Sequence, residues 1–95
     1  MIELKKVEKQ YNVTSIIINQ FKSIPYFLYT VEDSYLYISF TNEKIIMMVN
    51  LAMLVTEWIY RIESSASQIG KPQIKESTLY VLDSDKTLHI FEKNN

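Results

Sequence analysis

The amino-acid sequence predicts a single small α+β domain spanning residues 1–95, ordered α-β-β-α-β-β-β, with a five-stranded antiparallel sheet and helices on its faces. Three observations predict it. Apolar residues recur at helical spacing near the N-terminus. Runs rich in aromatic and β-branched residues come in pairs separated by short polar turns. One long apolar stretch lies between the pairs.

Leu4, Val7, Tyr11 and Ile18 fall on one helical line and Val13, Ile17, Phe21 and Ile24 on its neighbour, so residues 3–22 read as an amphipathic helix. The β-branched run from Val13 to Ile18 favours strand and works against that reading. Pro25 stops any helix and pushes Ile24 toward extended geometry. Runs 26–31 and 35–40, separated by Glu32-Asp33-Ser34, read as a hairpin, with Leu36, Ile38 and Phe40 on its buried face. Thr41 or Asn42 can cap a helix whose first turn carries Glu43. That helix runs over 45–62 and ends in Ser64-Ser65-Ala66-Ser67. Gly70, the only glycine, and Pro72 return the chain to extended structure. Runs 73–75, 78–82 and 87–91 read as three strands, the last two joined by the turn Asp83-Ser84-Asp85-Lys86.

Composition excludes several kinds of function. A formal net charge of −1, with lysines scattered among acids, gives no general field for nucleic acid. The absence of cysteine excludes disulfides and thiolate chemistry, and His89 alone cannot build a metal site. No metal or other cofactor is expected. The start, MIELKKVEKQ, lacks the features of a secretory signal, so a cytoplasmic location is expected. The sequon Asn12-Val13-Thr14 then carries no meaning, because glycosylation needs a secreted chain. No catalytic residue is expected either: His89 has no serine or acid at a recognisable triad spacing. Asp83-Ser84-Asp85 would open a calcium loop only with glycine and glutamate where Leu88 and Asn94 stand. Tyr29, Tyr35 and Tyr37 suggest base stacking, but Glu32, Asp33 and Glu43 would repel phosphates. No glycine motif cradles a nucleotide phosphate.

The expected helix over 45–62 is the most informative feature. Glu43, Asn50, Glu57 and Arg61 share one narrow stripe, while apolar positions cover about two-thirds of the circumference, more than one sheet can bury. A membrane span would place Asn50, Glu57 and Arg61 in lipid. Burial within its own fold would require a wholly buried helix in a small domain, which is unusual. Association with a second chain is the favoured reading, with Met47, Asn50, Leu54, Glu57, Trp58 and Arg61 as the interface and no membrane span.

The segments TSIIINQFKSIPYFLYTVEDSYLYISFTNEKIIMMVNLAML and IKESTLYVLDSDKTLHIFEKNN resemble the first helix, first hairpin and central helix, and the terminal strands, of the roadblock/dynein light-chain family. The resemblance lies in pattern and element order. It implies a dimer, homodimeric or with a related subunit, whose central helices lie side by side as a platform for a small Ras-like GTPase. Such modules have no active site; they scaffold or regulate the GTPase or a larger assembly. By position, Met47, Leu54 and Trp58 would make the contacts. Pro72 removes a donor near the strand expected to pair between sheets, leaving more to the helices. Two alternatives are a small inhibitor or decoy of a mobile element, masking a target enzyme, and a binder of single-stranded nucleic acid.

Overall fold

The computed structural model describes residue 4 and residues 10–92, and shows one helix with two antiparallel sheets. Helix α1 (Val13–Phe21) is followed by β1 (Phe27–Glu32), β2 (Tyr35–Phe40), β3 (Ile45–Asn50) and β4 (Val55–Arg61). These strands form a meander in the order β1-β2-β3-β4. β5 (Gln73–Lys75), β6 (Thr78–Leu82) and β7 (Leu88–Glu92) form a second, three-stranded meander. The molecule has three layers: α1, the large sheet and the small sheet.

The expected five-stranded sheet with helices on its faces is therefore corrected. The long helix over 45–62 does not form; that stretch is the β3–β4 hairpin, and the strand total is divided between two sheets. Ile45, Ile46, Val49, Val55, Thr56 and Ile59 are β-branched, and Trp58 and Tyr60 are aromatic, all of which suit a pleated surface better than a helix. Part of the excess of apolar residues needs no partner to explain it. β2 and β3 are inner strands covered on both sides, so their sequences read as continuous apolar runs rather than alternating ones. Among the described residues no helix is long and apolar enough to cross a membrane.

Two cores follow from the alternation. On the helix side, Ile17 of α1 packs on Leu36, Ile38, Phe40, Met47 and Val49, with Val13, Ile16 and Phe21 at its borders. On the other side Tyr37 and Ile46 meet Leu79 and Val81 of the small sheet, joined by Ile62 and Ile69 from the connecting segment. Helix α1 is only nine residues long and would be marginal alone. It is held by Ile17, and capped where Asn12 Oδ1 accepts from Ser15 N at 3.0 Å. Of the helix expected over 3–22, residues 3 and 5–9 lie outside the described residues; Leu4 is exposed and outside any regular element.

The hairpin turns use no glycine. Asp33, Lys44, Leu54, Glu76, Ser77 and Lys86 all have φ between 51° and 68°, a left-handed conformation that costs an L-residue about 1–2 kcal/mol. The sole glycine, Gly70, serves close approach instead. Its N–H donates to Leu82 O at 2.8 Å, and a Cβ there would meet that oxygen at 3.2 Å.

Candidate functional site

The β3–β4 turn is the least expected surface in the molecule. Turns normally expose polar residues, yet Ala52, Met53, Leu54 and Val55 are all exposed, Met53 at 69% and Leu54 at 61%. The turn is organised by Asn50, whose Oδ1 accepts from Met53 N at 3.2 Å and whose Nδ2 donates to Glu57 Oε1 at 3.1 Å. Leu54 then takes φ 55°, the left-handed region, to bring the chain back into β4. A branched aliphatic residue is a poor choice there. The neighbouring β1–β2 turn is tied alongside, because Leu51 N donates to Ser34 O at 2.8 Å. Asp33 of that turn and Glu57 are exposed, so the apolar tip has carboxylates at its margin.

Behind the tip, the register between β3 and β4 shifts at Met48/Val49, leaving Glu57 as an extra residue in β4. Trp58 is thereby turned with Met48 toward the small sheet, where it stacks on Tyr60 at 5.6 Å and meets the edge of Phe91 at 5.5 Å. A cleft of about 540 Å³ opens between the sheets at this point. Its walls include Tyr37, Met48, Trp58, Leu79 and Phe91, and Glu57 and Glu92 also line it. The Tyr37 phenol is pushed up from its ordinary value by burial first, and then by the negative charge of Glu32, with smaller contributions from Tyr35, Asp33 and Glu57.

The six residues expected to share one helical border thus occupy several places. Asn50 and Glu57 are hydrogen-bonded across the turn that contains Leu54, and Leu54 lines a groove with Tyr11, Ser15 and Ile16 beside α1. Met47 is wholly buried under α1, Trp58 is half-buried between the sheets, and Arg61 is exposed at the opposite end of β4. The sequence marks Met47, Met48 and Met53 as an adaptable contact surface, and of these Met53 alone is exposed; Val55, expected to face the sheet, is exposed as well. Sequence reasoning passed over Phe91, whose place depends on the stacking of one sheet on another.

A second polar cluster lies at the far end, where the small sheet begins. Asp83 is buried, yet its Oδ2 lies 2.8 Å from both Ser64 Oγ and His89 Nε2, and its Oδ1 accepts from the N–H groups of Asp85 and Thr87. The His89 hydrogen bond, aided by Ser64 and the two backbone groups, holds this carboxyl well below the usual carboxylate range despite its burial. An ionised carboxylate only accepts, so His89 Nε2 carries the proton between them. The order of these groups differs from a nucleophile relay: Ser64 donates to the acid rather than to His89, so the imidazole does not activate it. The cluster ties the 62–69 segment to the β6–β7 turn, together with Ser84 Oγ, which accepts from Ser67 N and Gln68 N.

A depressed carboxyl contributes stability that is present above its ordinary value, near pH 4, and is lost as pH falls below it. Asp83→Asn should therefore lower stability at pH 7 and flatten the acid limb. Urea midpoints measured from pH 7 to pH 2 should converge for the two proteins at the acid end. Parallel curves would show that Asp83 is not the group responsible.

No family model matches the chain, and neither curated proteins nor solved structures provide a match.

Proposed function

We propose that this chain is a non-enzymatic interaction domain that grips another protein through the β3–β4 turn. The observation that carries this reading is Leu54, which is both in the left-handed conformation and 61% exposed. The left-handed backbone costs the free domain stability, the exposed side chain returns none by burial, and neither serves its cores. Strain and exposed apolar surface coinciding at one tip are what a bound partner would use.

The charge at the margin narrows the partner. A second copy of the chain would bring the same negative charges, Asp33 and Glu57, to the contact, and an anionic lipid surface would repel them. The surface suits a different protein offering an apolar pocket with a basic rim. A Ras-like GTPase is not carried forward, because the platform that motivated it needs the paired helices over 45–62. Only its coarser content remains, that of a module that binds and does not catalyse.

Leu54→Gly separates the two roles of the residue. Glycine relieves the left-handed strain at some cost in unfolded-chain entropy, so stability should rise by up to about 1 kcal/mol. Removing the side chain should nevertheless reduce recovery of the partner from source-cell extract at least tenfold. Unchanged recovery by this variant, compared with the parent chain at equal concentration, would refute the reading.

A further inference from the structure

We propose that the cleft between the sheets receives an arginine side chain of the bound partner. The inference rests on the reading of this end as the partner-binding surface, and names the group taken up beside the tip.

The cleft's walls are aromatic and aliphatic, and the charged residues lining it are both carboxylates, Glu57 and Glu92. Glu57 Oε1 is engaged by Asn50, which fixes the group without neutralising it. Glu32, whose charge reaches Tyr37 in the cleft wall, has Oε2 buried with no hydrogen-bond partner among the described residues. Glu57 and Glu92 are exposed at the cleft's margin, and a recess with apolar walls and this excess of negative charge draws a cation. Trp58 lines the cleft together with Phe91, set across its ring at 5.5 Å, while Tyr60 runs parallel to the indole and is not among the lining residues, so one wall of the recess is aromatic. A guanidinium meets both demands at once, lying flat on an aromatic face while its fork of N–H donors engages carboxylates. An ammonium is more strongly hydrated and lacks that planar fit. The volume of about 540 Å³ lies within the range of about 300–1,000 Å³ typical of ligand pockets, ample for one extended side chain.

Trp58 is the only tryptophan, so its indole N–H signal and fluorescence report on the cleft directly. The full chain is titrated with three blocked tripeptides, Gly-Arg-Gly, Gly-Lys-Gly and the neutral arginine isostere Gly-citrulline-Gly, and followed by amide and indole shifts. The arginine peptide should give saturable shifts at Trp58, Phe91, Met48 and Leu79, with affinity at least fivefold above the other two. The double variant Glu57→Gln, Glu92→Gln should lose that preference while keeping the parent's spectrum elsewhere. Equal response to citrulline would show a merely apolar groove and overturn the proposal, as would the absence of saturable shifts. Equal response to lysine would overturn the choice of arginine. Because the peptides report without the partner, a negative titration with Leu54-dependent partner recovery intact removes only the cleft assignment. A positive titration without such recovery removes the wider reading.

Discussion

Replacing Phe40 with alanine should destabilise the domain by about 3–5 kcal/mol, the usual cost of emptying a buried aromatic site. Phe40 is 1% exposed at the end of β2, with the ring of Phe21 edge-on at 4.8 Å and that of Phe27 at 6.5 Å. It therefore joins α1, β1 and β2 at one point, and the nine-residue helix has little other support at its C-terminal end. Domains of this size hold roughly 5–10 kcal/mol in all, so the variant should sit near the edge of folding at 37 °C. Thermal and urea unfolding followed by far-UV circular dichroism measures the loss. A change below about 1 kcal/mol would mean that α1 does not close this face.

Val81→Asp tests the other core and should have the larger effect. Val81 is wholly buried on the inner face of β6, against the side of the large sheet that carries Tyr37 and Ile46. An aspartate there has no partner for its charge and must either be protonated or force the sheets apart, a penalty above about 4 kcal/mol. Undocking the small sheet would expose both faces of the problem at once. Ile46 would lose its cover, and Trp58 would lose Phe91. The expected result is cooperative loss of structure with a red shift of Trp58 emission. A variant that unfolds only in residues 73–92, leaving Trp58 emission unchanged, would show that the layers are independent.

Much of the fold was legible because local chemistry and final structure agree. The first hairpin lies where Glu32-Asp33-Ser34 separates two aromatic runs, and the three C-terminal strands follow Gly70 and Pro72 as their turn residues indicate. Residues 45–61 were misread for a physical reason. Leu51-Ala52-Met53-Leu54 contains none of the residues that announce a turn, and Asn50 supplies the missing turn hydrogen bond with its side chain. An apolar run with no visible break then resembles a helix, and the surplus of apolar residues was assigned to an external surface. The part of it in β3 belongs to an inner strand covered twice, a property of sheet stacking that no local pattern displays, whereas Met53, Leu54, Val55 and Ile59 are exposed. Part of the candidate site survived the error. Asn50, Leu54 and Glu57 were named as part of a helical border; instead Asn50 and Glu57 are hydrogen-bonded across a hairpin whose turn contains Leu54. Met47 was named with them and is core.

The claim that this tip contacts a partner is tested most directly by placing the photo-crosslinking residue p-benzoylphenylalanine at position 53, and in a control at position 43. Met53 lies in the exposed β3–β4 turn, whereas Glu43 is exposed in the β2–β3 turn at the other end of the strands. Irradiation in the source cells should give one dominant protein adduct from position 53 and none of that mass from position 43. Equal adducts from both positions, or none from position 53, would contradict the account.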